Sequence, residues 1–319
     1  MENTEHISAC EEDGTVKMLT IEPGTDRSGP EIRRTAIETL EGGGVIYLPR
    51  DGFELSERER ELISDTAKIL TRKPYYEDGR PTIIFDPARG RLKKYHYMKV
   101  PRKRLMMRAQ IRNTARPDLE ALLARYGKWA EGVIAQLFPD YQGALDRHRV
   151  TYRPFPRNKI QSLHIDSSYG YPTQGRGMLR LFSNIHPTIQ PRIWHLGEPF
   201  EPFVSRFLPS VRLGGKGWIS SILARLGIVD GAKTKYDQYM AALRDLGMHN
   251  KEYQKTAPHK IMEFPPGSSW IAITDLVVHG AISGQHSLDQ TFYLPVEAMN
   301  DPSRSSLRIL ERLTGQALV

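Results

Sequence analysis

The sequence predicts a mainly β chain with flanking α-helices, an α+β protein whose second half is an antiparallel sandwich or barrel. Three observations predict it. First, short β-type runs follow one another from Arg149 onward, each cut off by Pro or Gly: Arg149–Tyr152, Gln161–Ile165, Met178–Ile185, Arg192–Leu196, Trp270–Thr274 and Gln290–Val296. Second, a long helix precedes them. Leu119, Leu122, Leu123, Tyr126, Trp129, Ala130 and Val133 recur at helical spacing between Asp118 and Leu137, bracketed by Pro117 and Pro139. Third, the stretch 200–260 is richer in helix formers and reads as an insertion between strands.

The remaining elements follow in order. Residues 1–44 are polar and punctuated by Gly and Pro, and read as a partly flexible segment. Residues 45–145 read as a mixed α/β region packed on the core. It opens with the β-type run Gly44–Pro49. Ser56 with Glu59 three residues later forms a capping-box pattern that starts a helix to Ile63. Thr82–Pro87 reads as a strand closed by a turn. Residues 146–319 hold the β core, ending in a helix over Ser306–Leu313.

Composition narrows the function. With 319 residues and 39% hydrophobic residues, the chain can bury a sizeable core, and no run approaches the roughly 20 apolar residues of a membrane span. The N-terminal residues lack the basic and apolar regions of a secretory signal, so a cytoplasmic location is expected. A lone cysteine, Cys10, excludes an internal disulfide framework and a thiolate cluster. The net charge of +8 favours an anionic partner. The basic runs Arg89–Lys94 and Pro101–Arg104 match no nucleic-acid-binding pattern, so no nucleic acid is expected and the runs read as solvated faces.

The chemistry centres on His164-Ile165-Asp166. Alternation along a strand puts residues i and i+2 on one face, so both side chains can reach one ion. Downstream, the turn and apolar strand Phe264–Asp275 deliver His279 just past the strand's end. Two imidazoles and one carboxylate hold a ferrous ion on one face and leave further positions open. His164, Asp166 and His279 are therefore the candidate metal ligands. His286, His195 and His186 compete for the third place but lie in turns or off strand ends. Structural zinc would call for a closed four-ligand set rich in cysteine.

Such an iron site needs an electron source to activate dioxygen, most commonly 2-oxoglutarate, whose distal carboxylate wants a charge-assisted partner. From Gly280 to Asn300 there is no Lys or Arg, so the anchor must come from elsewhere. Arg180 stands between Leu179 and Leu181, and a cation in an apolar strand is costly unless it meets an anion. An ordinary buried ion pair would also satisfy it. Arg180 and Arg192 are the expected carboxylate clamp, with Asn184 and Trp194 sharing their faces and shaping the pocket. Arg149 is a weaker third arginine.

The chain resembles the Kdo hydroxylase family, iron- and 2-oxoglutarate-dependent oxygenases acting on the 3-deoxy-D-manno-oct-2-ulosonic acid of lipopolysaccharide. The resembling stretches include Val45–Pro49, Leu163–Asp166, Pro172–Arg176, Leu179–Ile185, Pro191–Trp194, Gly197–Glu201, Gln290–Val296 and Leu307–Glu311. The Arg-Leu-Phe-Ser-Asn and Arg-Ile-Trp runs are the specific ones, and the likeness runs from about residue 40 to the C-terminus. Residues 167–171 and the basic stretch around 214–235 depart from it.

The resemblance implies a double-stranded β-helix (jelly roll, cupin-like) core. It also implies Fe(II) and hydroxylation at carbon 3 of Kdo in Kdo-lipid A or its precursor. Arg153, Arg157, Lys159 and Arg176 lie near the candidate ligands in sequence and could meet the carboxylate and phosphates of such a substrate. Trp218–Leu226, with Lys216 and Arg225, reads either as a packed insertion helix or as a peripheral contact with the inner membrane surface. Two other readings stay open: the same chemistry on another sugar or a protein side chain, and a non-catalytic β-sandwich that binds an anionic glycan.

Overall fold

The computed structural model describes residues 13–50, 52–70, 82–93, 95–100, 103–108, 111–156, 160–167, 172–213 and 233–319. The elements run β1 (Met18–Thr20), α1 (Pro30–Glu41), β2 (Val45–Leu48), α2 (Glu57–Ser64), α3 (Thr66–Ile69), β3 (Ile83–Asp86), β4 (Arg91–Leu92), β5 (Tyr95–Val100), β6 (Lys103–Arg108) and α4 (Arg116–Leu137). The second half adds β7 (Asp146–Arg153), β8 (Gly177–Asn184), β9 (Arg192–Pro199), α5 (Phe200–Phe207), α6 (Lys235–His249) and α7 (Lys251–Thr256). It closes with β10 (Lys260–Phe264), β11 (Ser269–Ile273), β12 (Val277–Ser283), β13 (Ser287–Leu294) and α8 (Ser306–Thr314).

An eight-stranded sheet in the order β1-β2-β11-β8-β13-β7-β3-β4 faces a three-stranded sheet in the order β10-β9-β12. This is the jelly-roll core with flanking helices that the sequence predicts. The central strands β11, β8, β13 and β7 are mutually antiparallel. Their registers align Arg180 with Ala272 and Thr291, and Phe182 with Trp270 and Asp289. Alternation then sorts the strands into two faces. On the back, α4 covers the sheet, and the Tyr126 hydroxyl donates to the Leu181 carbonyl at 3.0 Å. Leu179, Leu181, Leu122, Tyr126 and Leu288 belong to the larger apolar cluster there. On the front, Phe182, Trp194, Phe264 and Trp270 form a separate cluster between the sheets.

Several boundaries differ from the sequence reading. From Met18 on, the segment 1–44 carries regular structure: β1 pairs in parallel with β2, and α1 buries Ala36, Ile37 and Leu40. Pro30 starts that helix where its missing N–H costs nothing. In the region 45–145, β2, β3 and β4 extend the large sheet at both edges.

Gln161–Ile165 forms no strand. It meets β12 at the bridge of His164 with His279 and through the Gln161 N–H, which donates to the Ala281 carbonyl at 2.9 Å, and then turns away so that the Asp166 N–H donates to the Thr274 carbonyl at 2.9 Å. The stretch expected beyond a strand end is itself β12, and His279 lies within it. The insertion is helical as expected, with α5, α6 and α7 between β9 and β10. Trp218–Leu226, Lys216 and Arg225 lie outside the described residues.

The insertion is bolted to the core by buried polar contacts. The Tyr253 hydroxyl donates to Glu198 at 2.8 Å, and Tyr236 and Ser306 share a 2.6 Å hydrogen bond beside Asp275. Asp275 in turn accepts from the Met178 N–H at 2.6 Å and from the Ser306 hydroxyl at 2.6 Å. These bonds fix the turn between β11 and β12, and hence the entry of β12 that carries His279.

Candidate metal centre and its cavity

His164, Asp166 and His279 converge, with one ligand atom from each lying within 4.8 Å of the others. His164 Nε2 is 3.6 Å from one carboxylate oxygen of Asp166, and His279 Nε2 is 4.0 Å from the other. The convergence is made by backbone pairing: the N–H of each histidine donates to the carbonyl of the other, at 3.0 and 2.9 Å. Each imidazole is then oriented by its own chain. His164 Nδ1 lies 2.8 Å from the Ser162 carbonyl and His279 Nδ1 3.1 Å from the Val277 carbonyl. A carbonyl can only accept, so both Nδ1 atoms carry the proton and both Nε2 lone pairs face the centre. The Gln161 side-chain amide lies 2.9 Å from His164 Nε2 and has to release that lone pair for the nitrogen to bind a metal.

Protonation states match that geometry. Burial drives His279 down to about 4, helped by the neighbouring His164 and opposed by Asp166, so it is neutral at pH 7. Burial alone would raise Asp166, but its contacts with His164 and the charge of Arg180 hold its carboxyl well below the usual range. A neutral His279, a second imidazole from His164 and an ionised Asp166 carboxylate offer nitrogen and oxygen donors and no thiolate, a set that fits a divalent transition metal.

Behind Asp166 runs a buried chain of charge. Arg180 donates from one terminal nitrogen to Asp166 at 2.7 Å and from the other to Asp289 at 2.5 Å. Arg153 pairs with the second oxygen of Asp289. The Arg180 guanidinium also lies over the Phe182 ring, 4.7 Å from its centroid. With one Asp166 oxygen occupied by Arg180, the carboxylate is held in a fixed orientation.

The centre opens into a cavity of about 100 Å³ lined by Arg153, Arg180, Arg192, Trp194, Trp270 and the candidate ligands, among others. Trp194 stacks on the His279 imidazole at 5.1 Å. Arg192 is buried and donates to the Gly284 carbonyl at 2.9 Å.

The sequence-predicted residues divide accordingly. Arg180, Arg192, Trp194 and Arg153 line the cavity. Asn184 is not among the lining side chains. It donates to the Gln190 and Phe264 carbonyls and accepts from the His186 N–H, so it ties the loop after β8 rather than shaping the pocket. Arg149 is not among them either, although β7 places it beside Thr291. Arg176 pairs with Asp146 at 3.0 Å and lies over the Tyr293 ring, which removes it from the cavity. Arg157 and Lys159 lie outside the described residues.

Gln161, Phe182, Trp270 and Asp289 were not singled out from the sequence. Asp289 carried a signal: an acid inside the apolar strand Leu288–Leu294 demands a cation, as Arg180 does an anion.

The jelly roll with a His-Asp-His centre at the inner end of its cavity defines the class: non-haem iron oxygenases that use 2-oxoglutarate. Within it, the chain belongs to the Kdo hydroxylase family, whose model, described as 3-deoxy-D-manno-oct-2-ulosonic acid (Kdo) hydroxylase, matches residues 24–317. Structures of the Kdo hydroxylase KdoO, described as a non-haem Fe(II) alpha-ketoglutarate dependent dioxygenase, are similar at 31% identity. The cobalt(II) complex gives a TM-score of 0.79 over 95% of this chain and 97% of that one. The complex with succinate and Fe(III) gives 0.80 over the same shares. The complex with alpha-ketoglutarate and Fe(III) gives 0.79 over 94% and 97%. No curated protein matches the chain.

Proposed function

We propose that the chain is an Fe(II)- and 2-oxoglutarate-dependent dioxygenase that hydroxylates carbon 3 of Kdo in Kdo-lipid A or its precursor. The products are the 3-hydroxy sugar, succinate and CO2. The observation that carries this is the convergence of His164, Asp166 and His279 on a cavity lined by three arginines. Family membership over residues 24–317 supports the sugar.

When bound, the iron and 2-oxoglutarate supply the oxidising chemistry, activating dioxygen with release of CO2 and succinate. The chain's own residues set the geometry. His164 and His279 present Nε2 as ligands because their Nδ1 protons are committed to backbone carbonyls. Asp166 is the anionic ligand, and Arg180 positions it. Of the two arginines expected to clamp the co-substrate, Arg192 takes the carboxylate, since Arg180 already bridges Asp166 and Asp289. Trp194 walls the same space. Arg153, at 28% side-chain exposure, stands where an anionic sugar would enter, and Arg157 and Lys159, close to it in sequence, assist in this reading. The stacked aromatic cluster keeps bulk water from the inner end of the cavity.

The substrate's carboxylate and phosphates give the net charge of +8 a use. No helix among the described residues is long and apolar enough to cross a membrane. A cytoplasmic enzyme meeting its lipid-linked substrate at the inner membrane surface fits this reading. Mass spectrometry of Kdo-containing lipid A incubated with the protein, Fe(II), 2-oxoglutarate and dioxygen tests it. A gain of one oxygen on the sugar is expected. Succinate release with no change in the sugar would assign the oxygenase another substrate.

A further inference from the structure

The three candidate ligands are not held alike. His279 lies within β12, and Asp166 is gripped by Arg180 and, through its N–H, by the Thr274 carbonyl. His164 sits on a segment that belongs to no sheet and meets β12 along one edge. Its own N–H and C=O both pair with His279. Alternation therefore turns the N–H and C=O of Leu163 the other way, toward an edge where no strand pairs among the described residues. Leu163 is buried, and buried peptide groups need partners.

A single side chain from the helical insertion supplies both. Gln254 of α7 accepts from the Leu163 N–H at 2.8 Å and donates to the Leu163 carbonyl at 2.9 Å. A primary amide carries the same donor and acceptor as a peptide unit, so this glutamine stands in for a missing strand residue. Its second N–H donates to the Gly247 carbonyl of α6 at 2.9 Å, which fixes the amide's orientation. Behind it the insertion is firm. The neighbouring Tyr253 donates to Glu198 at the end of β9 and packs against Phe203 and Phe207, with ring centroids 5.6 and 5.0 Å away. Leu163 and Ile165, on either side of His164, bury their side chains in the same apolar cluster as those three rings.

We propose that Gln254 is a positioning residue for His164, and that through it the helical insertion forms part of the metal centre. The inference rests on His164 being a metal ligand, as proposed above. Gln254 touches no reacting atom. It holds the backbone one residue from the ligand, and the Ser162 carbonyl then holds Nδ1, so that Nε2 is aimed at the point shared with Asp166 and His279. Loosening that backbone lets the imidazole drift from the shared point, and partners that orient a ligand typically set metal affinity by about 10- to 100-fold.

The experiment titrates cobalt(II) into the full metal-free chain. Gln254→Met nearly keeps the side chain's length and removes both bonds to Leu163. It is expected to bind cobalt(II) about 10- to 100-fold more weakly. At saturating cobalt(II) its d–d bands should shift in position and intensity, because a displaced imidazole changes the ligand field. Gln254→Glu keeps an acceptor for the Leu163 N–H and loses both donors. It should move affinity and bands the same way by less, and it carries the test if the first variant does not fold. Tyr253→Phe is the control, since it removes the hydrogen bond to Glu198 and leaves Leu163 untouched. It should lower stability in urea with cobalt(II) affinity and bands unchanged.

Wild-type affinity and bands in the Gln254 variants overturn the proposal. An equal loss in Tyr253→Phe also overturns it, because the stability of the insertion would then be the cause. A wild-type chain that binds cobalt(II) no better than His164→Ala would instead overturn the ligand reading on which the proposal rests.

Discussion

The two faces of strand β8 differ more than any two regions far apart in the chain. Leu179 and Leu181 turn to the back, where α4 seals them in an apolar cluster. One residue along, Arg180 turns to the front and meets Asp166 and Asp289, while Phe182 meets Trp194 and Trp270. Both faces are buried, so burial does not separate structure from function here. What separates them is the cost of burial. The back is stabilised by removing apolar area from water, about 1.5–3 kcal/mol per large side chain. The front buries charges that must be paired to be tolerated. A sheet that accepts that cost on one side is one whose site needs fixed charge.

Breaking the front should therefore cost function first. His279→Ala removes one imidazole from the converging set. It is expected to reduce 2-oxoglutarate turnover to background and to abolish the cobalt(II) absorption spectrum of the loaded protein.

Asp289→Asn probes the charged chain one step removed. It leaves Arg153 and Arg180 without a full counter-charge, and breaking a buried pair of this kind costs about 3–5 kcal/mol. Urea denaturation measures that loss. Metal affinity should weaken as well, since Arg180 loses the anchor that aims it at Asp166. Unchanged metal affinity at reduced stability would make the front as purely structural as the back.

Leu181→Ala sharpens the comparison from the other side. It should lower stability by about 2–5 kcal/mol. Turnover per folded molecule and the cobalt(II) spectrum should match the wild type.

The smallest effect concerns pH. Burial first, and His186 second, depress His286 to about 4, below the ordinary value of 6.5. Its neutral form is thus favoured by folding. Stability from this group is complete above pH 6.5, where both states are neutral. It is lost as pH falls from 6.5 toward 4, because the unfolded chain takes up the proton first. His286→Asn suits the left-handed backbone at φ 51° and should flatten the decline over that window in the metal-free protein.

Much of this was legible in the sequence, for identifiable reasons. The α4 pattern from Leu119 to Val133, the Ser56 capping box and the runs that became β7, β8, β9, β11 and β13 are local signals, and the structure carries them. His164-x-Asp166 and His279 could be paired because the residue types and the strand texture limited the choices. Strand β12 was hidden because Val277-Val278-His279-Gly280 follows β11 after only a short turn, so two strands of different sheets looked like one strand and its end. Segment 18–41 was hidden because its polar composition disguised a helix whose buried residues lie in its last turns, from Ala36 to Glu41. Asn184 and Arg176 were over-read for another reason: a polar residue near a site in sequence can spend its hydrogen bonds on its own loop.

By itself, the sequence determined the β-rich class, the three candidate ligands and the fact that Arg180 must find an anion. Those follow from alternation, helical period and the energetic cost of a lone charge in an apolar strand, all of which act locally. Only the tertiary structure decided which anion that would be. Asp289 is brought beside Arg180 by the pairing of β13 with β8, and Asp166 by a loop crossing between the sheets. Pairings across such separations depend on register and sheet packing, which no local pattern encodes.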